Sequence, residues 1–536
     1  MNSAKEVGLR SLPKRQVTIT LIGVMLAMFL SSLDQTIVGV AMPRIITDLG
    51  GFTHYTWVTT AYLITSTVVL PITGKITDMY GRKLLYIAGI SIFTTGSLLC
   101  GLSQTMMQII LFRGFQGIGA GVMMANAFTV IGDLFPPAER GKYQGLVSAV
   151  FGVSSVIGPA LGGYLTDALS WHWVFFINIP LALAVIGLFI RFFPDFRPDS
   201  GTPRIDYAGV ILLVLTVVPA MLALSWGGVD YAWNSLVIIG MFVFSAIMGI
   251  LFVIVENRCE EPILPLSLFR NSIVAISDVV SLLSGMGMFG VIIFVPLYFQ
   301  GVLGVSATMS GSFLIPMMMG VVLGGLISGQ VLSRAGGHYR IQGMIGIALM
   351  AAGMFLLSRM TAETGNGMAI ANIVITGFGL GTTMPLYTIA VQNAVTYKML
   401  GVATSTIVFV RTIGGTIGLA IFGSVLNNRF AADFIGRLPE SVRSAVPVEQ
   451  LNSLVQNPQA LVNVEAQAQL KGLFDVFGTE SAVVMEQVLT ALREALASSL
   501  SAVFLLAFGI LIAAFIVNLF LKEVPLRKQH IIDSDE

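Results

Sequence analysis

The chain of 536 residues is 55% hydrophobic and only 11% charged, carries a net charge of +1 and has a mean hydropathy of +0.87. A soluble protein of this size would need far more charge to cover its surface, so the composition points to a multi-pass membrane protein. Its basic residues are scattered over short loops and never gather into one face, which argues against a nucleic-acid partner.

At about 20 residues per crossing, fourteen apolar stretches are long enough to span a bilayer. They lie near residues 17–42, 56–76, 84–104, 106–131, 143–168, 173–193, 207–226, 234–255, 273–300, 307–332, 340–359, 368–391, 401–427 and 498–521. The first run, from about Gln16 to Met42, is longer than a signal h-region and lacks a small-residue cleavage site, so it reads as a retained helix. Cys100 falls in an apolar stretch and Cys259 in a loop, so no disulfide framework is suggested. With the N-terminus inside, the cytoplasmic loops receive Lys75, Arg82, Lys83, Arg140, Lys142, Arg258, Arg270, Arg334, Arg340 and Lys522, whereas the short outer loops keep only Arg44 and Arg359. That asymmetry places both termini on the cytoplasmic side of the cell membrane.

The first span carries Leu33-Asp34-Gln-Thr36-Ile-Val38-Gly-Val-Ala41-Met-Pro43. A carboxylate at membrane depth is costly and is a functional hypothesis by default; Asp34, well inside its span, is the acid best placed to carry a proton. Between the second and third spans stands Gly74-Lys-Ile-Thr-Asp78-Met-Tyr-Gly81-Arg82-Lys83, read as a tight turn in which glycine allows the reversal and Asp78 pairs with nearby cations or caps the third helix. By spacing alone it is a charged loop. The fourth span contains Arg113-Gly-Phe-Gln116-Gly117-Ile-Gly119-Ala, and a guanidinium there must meet a carboxylate or backbone carbonyls, or face water. In the fifth span, Gly152 and the run Gly158-Pro159-Ala-Leu-Gly162-Gly163 admit a closely packed helix, and Pro159 bends the segment. Ordinary tight packing and a contact that opens and shuts both fit that pattern. Asp278, about two turns into the ninth span, has a proton or substrate role or is a hydrated residue at the inner mouth. Asp133, Glu139, Asp167 and Glu256 fall at helix ends, where solvated or capping roles are expected, and His54, His172, His338 and His530 lack metal-ligand spacing.

The Gly74 to Lys83 turn resembles motif A of the major facilitator superfamily, and the patterns around Asp34, Arg113 and Gly158 look like its motifs D1, B and C. With fourteen spans, the chain is similar to the drug:proton antiporters of that superfamily over nearly its whole length. The resemblance implies an all-α membrane fold of two pseudo-symmetric six-helix halves, residues 1–194 and 272–536, joined by a linker, 195–271, that holds two extra spans. It also implies that Gly74, Asp78, Gly81, Arg82 and Lys83 serve conformational switching, that Gly152 to Gly163 mark an antiporter, and that Arg113 tunes the proton affinity of a carboxylate such as Asp34. The second half repeats the first imperfectly. Gly401 to Gly414-Gly415 and Gly418 echo the fifth span with Arg411 added, and Ser328-Gly329 to Ser333-Arg334 echoes motif A with Ser333 where Asp78 stands.

A substrate cavity between the halves draws its candidates from Trp57, Tyr62, Gln116, Asn126, Phe151, Tyr298, Phe299, Tyr387, Gln392, Asn393 and Arg411, the aromatic rings being able to accept flat lipophilic cations. Most such rings pack or anchor at interfaces. The outer segment 428–497 has apolar spacing compatible with short amphipathic helices around Leu451, Leu473 and Val484, either as a cap or as a gating or partner-binding element. The expected function is proton-coupled export of amphipathic or lipophilic, often cationic, compounds by a monomer, with the proton gradient as energy source and no cofactor. The alternative is export of a lipid or lipid-linked metabolite with drug efflux secondary. An enzyme is disfavoured, since no Ser/His/Asp set, metal cluster or phosphate-binding loop is present.

Overall fold

The computed structural model describes residues 13–49, 55–194, 205–305, 307–334, 337–361, 363–438 and 481–527. Among these the secondary structure is helical, with fourteen helices long and apolar enough to cross a membrane. In chain order they are α1 (Lys14–Leu49), α2 (Tyr55–Tyr80), α3 (Arg82–Gly101), α4 (Met106–Leu134), α5 (Pro137–Ala168), the split span α6 (Trp173–Phe176) and α7 (Asn178–Phe192), α8 (Tyr207–Trp226) and α9 (Leu236–Glu256). After the 3-10 turn Leu266–Arg270 follow α10 (Ser272–Gly301), α11 (Ala307–Arg334), α12 (Tyr339–Ser358), α13 (Asn366–Ala394), α14 (Leu400–Arg437) and α15 (Ser481–Asn518). Fourteen crossings bring the start of α1 and the end of α15 to one face of the bundle, here the termini face.

Lipid replaces water as the outer solvent, so the usual burial pattern is relaxed: α9 exposes Leu236, Val243, Ile247 and Ile250. In the first half α1 packs on α5, both α2 and α3 on α4, and α7 on α1 and α3. In the second, α10 packs on α14, both α11 and α12 on α13, and α15 on α10, α12 and α14. The pair α8 and α9 pack on each other, with α8 reaching α2 and α14. The halves meet chiefly where α5 lies on α11 and α2 on α14.

The outer segment differs from expectation. The helices on either side of it run on past the residues expected to span, to Arg437 on α14 and back to Ser481 on α15. Val484, Val488 and Leu492, expected in a short amphipathic helix of the loop, instead form the first turns of α15 and are buried in one cluster with Phe430 and Phe434 of α14. Arg437 Nη1 donates to Glu494 Oε2 at 2.7 Å across the same pair. Apolar residues on both helices keep facing each other beyond the bilayer, so neither helix has reason to stop at its edge. Leu451 and Leu473 lie outside the described residues, as does His54.

Candidate functional site

Asp34 sits on α1 with no exposed surface and is surrounded by donors. Arg113 Nη1 from α4 approaches Oδ2 at 2.5 Å, while Gln116 Nε2 and Asn178 Nδ2 donate to Oδ1 at 2.9 and 3.0 Å. Arg113 also donates to Gln116 Oε1 at 2.9 Å and lies 4.1 Å from the centre of the Tyr62 ring. Asn178 Nδ2 donates further to Ser97 Oγ at 3.0 Å. Three donors on a carboxylate that no water reaches satisfy its ionised form, and the cation beside it offsets its charge. Tyr62 and Gln116, expected along a substrate cavity, belong to this ion pair. Asn178 and Ser97 were not picked out from the sequence. The available signal was Asn178-Ile-Pro180, a polar residue where the sixth span breaks into α6 and α7.

Motif A is not a ten-residue turn. Residues from Gly74 to Tyr80 continue α2, and the reversal is confined to Gly81, whose φ of +89° favours glycine. Gly74 is small because α14 lies against it: a Cβ there would strike Ser405 and the Gly401 carbonyl. Asp78 does not cap α3, whose N-cap, Gly81, makes no side-chain bond. It pairs with Arg82 Nη2 at 2.5 Å and accepts the backbone N–H groups of Gly401 and Val402 at 3.1 and 2.9 Å, the unpaired first donors of α14 in the other half. Arg82 Nε donates to Asp133 Oδ2 at 2.9 Å, so Asp133 is a buried ion-pair partner and neither solvated nor a cap. Lys83 Nζ donates to the Ile190 carbonyl. Glu256 accepts the N–H groups of Ile263 and Leu264, a capping role for the loop after α9.

The related α5–α11 contact is lined by glycine. Gly141 and Gly329 meet backbone to backbone, Gly145 lies against Gly325, and Gly152 faces Val322. Gly329 occupies the place of Gly74 in the second-half copy of motif A, and Ser333 stands where Asp78, the carboxylate that latches α2 to α14, stands in the first. Gly158 and Gly162 do not lie on this seam. A Cβ on either would strike Thr36 or Ile37 of α1, within the same half, and Gly163 faces open space. Thr36 Oγ1 donates to the Ser154 carbonyl at 3.1 Å across that contact, two residues from Asp34. The Gly158-Pro159 pattern therefore seats α1 on α5 and does not divide the halves. In the second half Gly414 and Gly418 of α14 receive Leu282 and Met286 of α10 in the same way.

The remaining cavity candidates disperse. Trp57 meets Trp226 edge to face at 5.1 Å, on the α8 side. Asn126 donates to the Val122 carbonyl of its own helix, and Phe151 packs half-buried on the core. Tyr298 donates to the Thr361 carbonyl at 2.7 Å and Phe299 stacks on Phe313, both near the end of α10 remote from the termini face. Gln392 donates to the Phe128 carbonyl at 3.2 Å and accepts from Arg140 and Gln144 at 3.3 Å, tying α13 to α4 and α5. Asn393 accepts the Arg527 N–H at 3.0 Å from the chain beyond α15, whose Arg527 carbonyl accepts the N–H of Ala138 in the first half. Gln392 and Asn393 thus seal the termini face. Tyr387, which donates to Asn518 Oδ1, and Arg411, which donates to the Met384 carbonyl at 3.1 Å, line a small cavity beside Ser281 and Ser284 of α10. Asp278 lies one turn away on that helix, 4% exposed.

These features match known proteins. The family model described as Major Facilitator Superfamily matches residues 24–254 and 207–419. The multidrug transporter protein MdtP of Bacillus subtilis (strain 168) is 39% identical over 525 residues, covering 98% of this chain and 96% of that protein. Multidrug resistance protein 3 of the same organism is 38% identical, covering 94% and 95%. The crystal structure of the human organic anion transporter MFSD10 (TETRAN) shares the fold with a TM-score of 0.59 at 13% identity, covering 93% of this chain and 100% of that one. Fourteen membrane helices, motif-bearing contacts between two halves and matches along nearly the full length converge: the chain belongs to the Major Facilitator Superfamily of transporters.

Proposed function

We propose that this chain is a multidrug exporter that exchanges amphipathic, often cationic compounds for protons, with Asp34 as a proton carrier. The observation that carries this reading is the fully buried Asp34–Arg113 pair, held by Gln116 and Asn178 inside a membrane bundle. A proton on Asp34 removes the charge that Arg113 neutralises, so the guanidinium must find another partner and the α1–α4 contact must change. The Thr36 bond to Ser154 passes such a change to α5, whose other end packs on α11 of the second half. The names of the relatives, a multidrug transporter and a multidrug resistance protein, support drug export, and the Lys/Arg bias of the termini face supports a cytoplasmic location for that face.

The test is made in liposomes. Adding a lipophilic cationic dye should drive proton movement with the parent protein and none with Asp34→Asn, which keeps size and hydrogen-bonding ability but cannot titrate. Dye transport by the parent without proton movement would overturn the reading.

A further inference from the structure

Along α10, Ser277, Asp278, Ser281 and Ser284 form a buried polar strip, none more than 5% exposed. Many buried helical hydroxyls of this bundle donate to a carbonyl one turn back, as Ser154 does to Val150 and Thr376 to Asn372. Here all three serine hydroxyls and both oxygens of Asp278 lack a hydrogen-bond partner among the described residues. The strip adjoins a cavity of about 10 Å³, room for about one water, lined by Ser281, Ser284, Thr383, Tyr387 and Arg411. Arg411, which lines the cavity, donates its Nη2 to the Met384 carbonyl and makes no hydrogen bond to Asp278.

The two membrane carboxyls are therefore built oppositely in one conformation. Asp34 has a cation and two amide donors, which fit an anion. Asp278 has no donor, and an ionised carboxylate so placed loses its hydration with nothing to replace it. A neutral acid needs far less, and hydroxyls that both give and accept hydrogen bonds, with one water, can receive and pass on its proton. Few other charges intervene. Tyr387 lines the same cavity, Arg270 sits in the 3-10 turn at the base of α10, and α11 and α15 carry no charged residue over 307–333 and 495–518. Depth differs as well: Asp278 is six residues from the start of α10, about 9 Å from its end on the termini face, whereas Asp34 is twenty residues, about 30 Å, along α1.

We propose that Asp278, with the Ser277, Ser281 and Ser284 hydroxyls and the cavity beside Arg411, is a second proton-binding site. It is occupied while the termini face is closed, and gives up its proton through that face when the Asp78 latch and the Gln392 seal part. The transport consequence, a second proton per cycle, rests on the proposed proton coupling; the site itself does not.

Two measurements separate these. In infrared spectra of the purified protein at neutral pH, the carbonyl-stretch band of a protonated buried carboxyl should vanish in Asp278→Asn and persist in Asp34→Asn. Should Asp278→Asn not fold, Asp278→Glu should displace the band. A spectrum indifferent to either change at residue 278 overturns the site, whether or not the parent moves protons. In liposomes, the dye gradient that balances an imposed pH gradient gives the exchange ratio, which should fall by one proton per dye in Asp278→Asn while dye binding is kept. An unchanged ratio overturns the second proton. A parent without any proton movement overturns the antiport reading, and the infrared result then still decides the site.

Discussion

The carboxylate of Asp78 on α2 accepts the backbone N–H of Val402 on α14 at 2.9 Å, so a side chain of one half terminates a helix of the other. Hydrogen bonds to a charged group are worth about 1.5 to 3 kcal/mol each. Loss of this one should therefore favour the conformation in which α2 and α14 separate. Asp78→Ala should raise the labelling rate of a single cysteine at Ser405, which faces Gly74 across the same contact, by roughly tenfold or more, about 1.4 kcal/mol per tenfold. Dye affinity should change little. Equal losses of affinity and transport, with labelling unaltered, would refute the latch.

Arg82 should matter more to stability than Asp78 does. It holds two buried acids, Asp78 and Asp133, and its removal leaves both uncompensated. Arg82→Met should cost about 3 to 5 kcal/mol, read as a large fall in thermal stability in detergent. Arg82→Lys should recover only part, because an ammonium cannot copy the planar fork that reaches both carboxylates. Full recovery by lysine would show that only the net charge matters.

The α1–α5 contact gives a different expectation. Gly158→Leu should overpack against Thr36 and cost about 1 to 3 kcal/mol, displacing α1 where Asp34 meets Arg113. Proton-coupled transport should fall while labelling at the Ser405 position stays as in the parent. Gly163→Ala, a position facing open space, should alter neither. A Gly158→Leu protein that transports normally would remove this contact from the mechanism.

Asn178 should be coupled energetically to Asp34. Asn178→Ala removes a donor from a buried charge, at about 1.5 to 3 kcal/mol in the parent, but should cost distinctly less in an Asp34→Asn background. Unfolding midpoints of the four proteins close the cycle. Strict additivity would mean that the 3.0 Å contact contributes nothing specific.

The segment beyond α15 should steady the termini face. Tyr339 donates to the Lys522 carbonyl at 2.8 Å and accepts the Val524 N–H at 2.6 Å. Tyr339→Phe strands both backbone groups and should speed proteolysis of the chain end. An unchanged cleavage rate would argue that the other bonds of this segment suffice.

The fourteen crossings, the positions of Asp34, Arg113 and Asp278, and the glycine-rich faces were legible in the sequence, because hydropathy and the cost of a buried charge act over one turn or one span at a time. What each motif touches was not legible. Gly158 could have faced either half, Asp78 could have capped the nearer helix, and Gln392 and Asn393 could have lined a midplane cavity, since such partners lie hundreds of residues away and are chosen by how the helices pack. Asn178 reached Asp34 only through the break between α6 and α7. Hydropathy alone makes this chain cross the membrane and obliges its buried charges to find partners. That Asp34 meets three donors, whereas Asp278 has no hydrogen-bond partner among the described residues, emerges from the packing, because satisfying a buried carboxylate depends on where other helices place their polar atoms.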